Sequence, residues 1–273
     1  MKRRVFSVVL VLLMVTAAIA CGSSEQEITG QELIDGILAS AENQTTYRWE
    51  MNMGFTMSGT FEGEYGEMDY SMDNNGVVDM TAQEMEMDMT TIMNVRANTQ
   101  SEETGIAKAY VMDDMAFVGI VSQVAPTEWV TGDVSGDFWE QDSVSQIIEL
   151  CRGAEAKILG TETVKGIDCY KAEISPGMDE LLEYMRSRIE KEGLPAELTE
   201  NSISSYSMKG WFAKDTFFPV KFHEELDLTL DIEGDEATYH FILDGVFYDW
   251  NESVSIELPP EAEEAEYIGP IDI

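Results

Sequence analysis

Polar and apolar residues alternate with a period of two over much of this chain. Tyr47, Trp49, Met51, Met53, Phe55 and Met57 all fall on odd positions with mostly polar or small residues between them, which predicts a long strand with one apolar face. Met68, Tyr70 and Met72 repeat the pattern before Asp73-Asn74-Asn75-Gly76, a composition that predicts a turn. Met85, Met87, Met89 and Met93 share one face of a further strand, and the apolar runs on either side of Asp113-Asp114 predict a tight hairpin. A second hairpin is expected to turn near Val164-Lys165-Gly166, and a third strand pair near Lys214-Asp215. Val220, Phe222, Leu226, Leu228, Leu230 and Ile232 hold the even positions of a long strand that only Glu224 interrupts. After a turn at Glu233-Gly234-Asp235, Tyr239, Phe241 and Leu243 alternate again, and Val254, Ile256 and Leu258 predict a last short strand.

The period changes to that of a helix in three places. Thr29 and Glu32 fit a capping box, Ile28 and Leu33 a hydrophobic staple, and Leu33, Ile34, Ile37, Leu38 and Ala41 then form one apolar stripe ending near Asn43. Ser143 and Gln146 open a second stripe of Val144, Ile147, Ile148 and Cys151. Ser175-Pro176 opens a third, with Met178, Leu181, Leu182, Met185 and Ile189, stopped by Gly193-Leu194-Pro195. No linker, repeat or low-complexity block divides the chain. The fold class expected is therefore α+β: a single strongly curved antiparallel sheet of about ten or eleven strands, an incomplete β-barrel, with helices covering its concave face. This domain is expected to span residues 29–260, followed by a loose acidic tail over 261–273 after Pro259-Pro260.

The N-terminus sets the compartment. Lys2, Arg3 and Arg4 precede an apolar run from Val5 to Ile19, and Ala18-Ile19-Ala20-Cys21 places small residues just before a cysteine. Residues 1–20 read as a lipoprotein signal peptide, Cys21 as the lipid anchor and residues 21–28 as a tether. The run is shorter than the roughly 20 apolar residues a membrane span needs. The chain is thus expected to be anchored through lipid on the extracytoplasmic face of the cell membrane. Composition adds a strong field: 53 Asp and Glu against 16 Lys and Arg give a formal charge of −37, and removal of residues 1–20 with Lys2, Arg3 and Arg4 leaves 13 against 53, or −40. Such a body repels nucleic acid and anionic headgroups, and stands off the membrane that holds its lipid. In that oxidising compartment an even pair of cysteines, Cys151 and Cys169, points to a disulfide, with free buried thiols as the alternative.

Three segments then carry a family resemblance: Ile158-Leu-Gly-Thr-Glu-Thr-Val-Lys-Gly-Ile-Asp-Cys-Tyr-Lys-Ala172, Gly210-Trp-Phe-Ala-Lys-Asp-Thr-Phe-Phe-Pro-Val-Lys221, and Phe247-Tyr-Asp-Trp-Asn251 with Val254-Ser-Ile-Glu-Leu-Pro259. With the lipobox and the leading helix, this order of elements resembles the LolA/LolB and LppX/LprG lipoproteins. The resemblance implies an incomplete barrel that holds lipid or lipid-linked cargo in an apolar cavity between sheet and helices. It supplies no catalytic residue.

Chemistry is otherwise sparse. His223 and His240 are the only histidines, too isolated for a metal site, and no Gly-x-Ser-x-Gly elbow, P-loop or Gly-x-Gly-x-x-Gly occurs. Asp69 to Gly76 is rich in oxygen ligands but has Asn74 where a calcium loop needs glycine. No enzyme activity, cofactor or metal is expected. The methionines are the one functional pattern, because thioether side chains repack around ligands of varied shape. Trp49, Met51, Met53, Phe55, Met87 and Met89 from the first strands, with Phe222, Leu226, Leu228 and Phe241 from the last, are the expected cavity lining; an ordinary core sealed by the helices is the competing reading. The function expected is binding or shuttling of an apolar or lipid-like ligand. The alternative is a non-catalytic surface scaffold with a dry core and an envelope protein as partner.

Overall fold

A computed structural model describes residues 28–61, 64–96, 100–121, 126–134, 138–141, 143–191, 198–232 and 235–271. The signal peptide, Cys21 and the tether as far as residue 27 lie outside them. Helix α1, Gly30–Ser40, starts as the sequence predicts: the Glu32 amide donates to the Thr29 hydroxyl at 3.2 Å while the Glu32 carboxylate accepts from the Thr29 amide at 2.8 Å. Six strands follow: β1 Thr46–Phe61, β2 Glu64–Asp79, β3 Glu84–Arg96, β4 Gln100–Met112, β5 Met115–Ile120 and β6 Glu128–Asp133. Helix α2, Ser143–Cys151, leads to β7 Glu155–Val164 and β8 Ile167–Ser175, and helix α3, Met178–Lys191, to β9 Ile203–Ala213, β10 Pro219–Ile232 and β11 Asp235–Tyr248. A two-residue strand β12, Glu266–Tyr267, closes the order.

All twelve strands form one strongly curved sheet ordered β12-β6-β5-β4-β3-β2-β1-β11-β10-β9-β8-β7. Two antiparallel meanders meet where β1 pairs with β11, and β12 alone runs parallel to its neighbour. The ends of the order, β12 and β7, do not meet, so the sheet is an incomplete barrel. The predicted hairpins form because their turn residues accept left-handed backbone: Asp113 and Asp114 have φ of 52° and 60°, and Lys165 and Gly166 of 46° and 84°.

The helices lie on the concave face. Leu33, Ile34 and Ile37 of α1 and Val144, Ile147 and Ile148 of α2 pack against Tyr47, Trp49, Val78, Met85, Val111, Phe222 and Phe247, all buried. Leu181, Leu182 and Met185 of α3 cover Leu226, Leu228 and Leu230. The convex face carries two smaller clusters, around Trp211 and around Tyr110.

Four expectations need correction. First, Asp73-Asn74-Asn75-Gly76 is no turn; β2 runs straight through it. Its small and polar residues serve the packing of Trp49 instead, since a Cβ on Gly76 would stand 2.5 Å from the indole ring. Second, Cys151 and Cys169 are both free and buried. They cannot pair, because Cys151 sits in the concave core while Cys169 sits among Trp211, Ala213 and Val220 on the convex side, with the sheet between them. Third, residues 254–258 form no strand. They cross the convex face as an extended strap, placing Ile256, Val254 and Leu258 on Val77, Tyr110, Phe117 and Trp129. Fourth, the acidic tail is not loose over the part described. The Ile268 and Ile271 amides donate to the Thr131 and Asp133 carbonyls at 2.9 Å, and Tyr267 donates to the Asp133 carboxylate. The strand count of twelve, against about ten or eleven expected, comes from β6 and this tail strand.

Candidate functional site

The strand register divides the concave face into cross-strand rows. Next to the helices, Tyr47 faces Val78, which faces Met85, which faces Val111; every member is buried. One row further along, Trp49 lies across Gly76, with Phe247 on one side and Met87 on the other. The Trp49 indole N–H donates to Asn74 Oδ1 at 2.8 Å, and Asn74 is itself buried. Phe222 stacks on Phe247 at 5.6 Å and occupies the space a Cβ on Gly245 would need. These aromatic rings lying over glycines form a bulkhead that ends the sealed core.

Beyond the bulkhead the long hairpins continue and the apolar rows continue with them. Met51 is followed by Leu243, Met53 and Met72, then by Phe241, Phe55, Tyr70 and Met93, then by Tyr239, Met57 and Met68. Phe55 and Tyr70 stack with ring centroids 5.2 Å apart. Each of these side chains is half-buried. Tyr239 and Phe241 lean on the cluster beneath α3, and Met51 and Leu243 on the helix-bearing core. Among the described residues, Met53, Phe55, Met57, Met68, Tyr70, Met72, Met89 and Met93 belong to none of the buried clusters. The opposite side of the same hairpins is polar, with Asn52, Thr56, Ser58, Asp69, Ser71 and Asp73. The result is a trough floored by methionine and aromatic side chains, walled at one end by the Trp49 bulkhead and flanked by α3.

The expected lining therefore divides. Trp49, Phe222, Leu226 and Leu228 are at most 6% exposed and belong to the sealed core. Met51, Met53, Phe55, Met89 and Phe241 floor the trough, with Met87 half-buried at its margin beside Trp49. Met57, Met68, Tyr70, Met72 and Met93 join them; their parity was visible in the sequence, but not which end of each strand the helices leave open.

A second concavity of about 340 Å³ opens on the convex face, between Glu50, Asn52, Asp73, Asn75, Lys221 and Asp244. Its carboxylates are engaged locally. Glu50 accepts from Lys165 at 2.8 Å and Tyr248 at 3.1 Å, which holds it below the usual carboxylate range; Asp244 meets His223 at 3.0 Å, and Asp73 accepts from Asn52. His240 faces Asp227 at 2.8 Å in the same cross-strand manner. Such a depression is shallow and internally satisfied, and we assign the candidate site to the trough. Among the described residues no group of three or more His, Cys, Asp or Glu is placed to hold a metal ion, and no helix is long and apolar enough to cross a membrane. The two thiols are held protonated by burial, Cys151 pushed up to about 12 and Cys169 to about 11.

No protein-family model and no curated protein matches the chain. Among solved structures, the chain is similar to lipoprotein LppX of Mycobacterium tuberculosis, at 14% identity and a TM-score of 0.41, over 83% of this chain and 99% of that one. It is also similar to LprF of Mycobacterium bovis, at 9% identity and a TM-score of 0.43, over 84% of this chain and 96% of that one.

Proposed function

We propose that the chain is an extracytoplasmic lipoprotein, anchored through Cys21, that holds an apolar or lipid-like molecule in the trough without catalysing a reaction on it. The observation that carries the reading is the run of half-buried methionine and aromatic rows beyond the Trp49 bulkhead, of which Met53, Phe55, Met57, Met68, Tyr70, Met72, Met89 and Met93 belong to no buried cluster among the described residues. Exposed apolar surface of that continuity is rare on a soluble body and marks a binding surface. Methionine suits the task, because its unbranched thioether refits to acyl chains of different length and unsaturation. A diacylated or triacylated Cys21 would keep the body at the membrane, while the charge of −40 left once residues 1–20 are removed holds it off an anionic surface. The trough is then presented near the bilayer but outside it.

Native mass spectrometry of the Cys21→Ser chain, purified from cells without detergent, is the direct test. A lipid-sized mass increment, lost on organic extraction and regained on adding a fluorescent diacylglycerol, is expected. The bare chain mass with no uptake of the probe overturns the reading. Co-purification of an envelope protein in that case favours the scaffold alternative.

A further inference from the structure

The two faces of the sheet differ in charge as well as in polarity. Every lysine and arginine carried by a described strand projects from the convex face: Arg48, Arg96, Lys108, Lys157, Lys171, Lys209 and Lys221. Their partners confirm the side, since Arg96 meets Glu67 and Asp69, Lys108 meets Asp88 at 2.9 Å and Lys171 meets Glu162 at 3.0 Å. The concave rows hold no cation. Beyond the bulkhead their described side chains include three carboxylates: Glu103, opposite Met93 at the end of the Phe55-Tyr70 row; Glu128, opposite Ile120 at the end of the Met51-Asn74-Met89 row; and Glu224, between Leu243 and Met208 in the Met53-Met72 row. Glu224 is 3% exposed, the one charged side chain buried among the described residues. On the flank, Arg186 of α3 donates from its Nη2 to the Leu198 carbonyl at 3.1 Å.

From this segregation, and resting on the trough reading above, we infer that the occupant carries an uncharged head and that amphiphiles with an anionic head are excluded. An anion drawn over the concave rows leaves water for a face on which the described strands carry no cation and two exposed carboxylates, Glu103 and Glu128, within the field of a body at −40 (13 Lys and Arg against 53 Asp and Glu over residues 21–273). An uncharged hydroxylated head meets no such penalty, and its hydroxyl groups can donate to the Glu103 carboxylate. The tails are bound alike in both cases, so the head decides between them.

The experiment compares a fluorescent diacylglycerol with the phosphatidic acid bearing the same two tails, each below its micelle concentration, on the exported Cys21→Ser chain. The uncharged probe is expected to bind at least about tenfold more tightly at low ionic strength, with the gap narrowing as salt is added. Equal affinities, or a preference for phosphatidic acid, overturn the inference while leaving the trough reading intact. Uptake of neither probe overturns both. Thr91→Lys and Thr90→Lys locate the effect: Thr91 faces Met72 on the concave side and Thr90 faces Asp73 on the convex side. Thr91→Lys is expected to raise the affinity for phosphatidic acid at least about tenfold, and Thr90→Lys, with the same change in net charge, to leave most of the gap. Equal effects of the two assign the preference to net charge and overturn its placement on the concave face.

Discussion

The Trp49 indole N–H donates to Asn74 Oδ1 at 2.8 Å, and that bond fixes the boundary between a sealed core and an open trough. Both residues are buried, so the donor has no water to fall back on. Asn74→Ala should lower stability by about 1–3 kcal/mol, the usual penalty of a stranded buried donor. Gly76→Val should do worse, because a Cβ there meets the Glu86 carbonyl oxygen at 2.4 Å as well as the indole at 2.5 Å. Urea midpoints check both; an Asn74→Ala chain as stable as the parent would show that the bond contributes nothing.

Wall and core residues should separate in mutagenesis. Phe222→Ala removes a side chain 2% exposed from beneath the helices and is expected to cost about 3–5 kcal/mol. Phe55→Ala, on the half-buried floor, should cost much less stability yet weaken diacylglycerol binding by about tenfold. Paired denaturation and binding curves decide it. If Phe55→Ala is as destabilising as Phe222→Ala, the floor is core and the trough is closed.

The cysteines should behave as inert core residues. No disulfide is expected in the protein purified from an oxidising compartment, and a thiol reagent should modify both residues only after unfolding. Their folded values, about 12 and about 11, lie above the ordinary thiol value of 9.0. The unfolded chain therefore gives up these protons first. The stability they contribute is complete below pH 9 and drains away as the pH rises toward about 12, by up to about 1.4 kcal/mol per pH unit for each thiol. Tyr110, pushed up to about 12 by burial and by Glu86, acts in the same direction. An unfolding midpoint unchanged between neutral and strongly alkaline pH would contradict this.

Salt should stabilise the fold. The ion pairs are mostly exposed, as with Arg152 and Glu149 or Lys157 and Glu173, and solvent screening leaves such pairs little to add to stability. Self-repulsion at −40 is the larger effect and is screened at physiological ionic strength. The melting temperature should rise from low salt to physiological salt. A fall would mean that the ion pairs outweigh the repulsion.

The strap is expected to matter more than its charge suggests. Ile256 is 6% exposed over Val77 and Tyr110, so Ile256→Ala should cost about 2–5 kcal/mol. Removing residues 259–271 strips the β6 edge of its partner and should promote self-association, read by size-exclusion chromatography. A truncated chain that stays monomeric would show the edge is protected by other means.

The alternation from Tyr47 to Met57 and the helical stripe from Leu33 to Ala41 are local, and the sequence alone determined them. A strand needs one face buried and a helix one stripe, and each pattern repeats within a few residues. The capping box of Thr29 and Glu32 and the Asp113-Asp114 hairpin were legible for the same reason, since their bonds close over three or four positions. Residues 73–76 were misread because turn composition is also the composition that makes room for a large ring, and Trp49 lies far from Gly76 in the chain. Parity could say that Met53 and Trp49 share a face but not that a helix covers one and leaves the other open. The separation of Cys151 from Cys169 by a sheet, the path of the strap, the placing of every strand-borne cation on the convex side and the line between core and trough are relations between distant segments. Only the tertiary structure decided them, because coverage of a face depends on where other elements pack, and no periodicity within a strand records that.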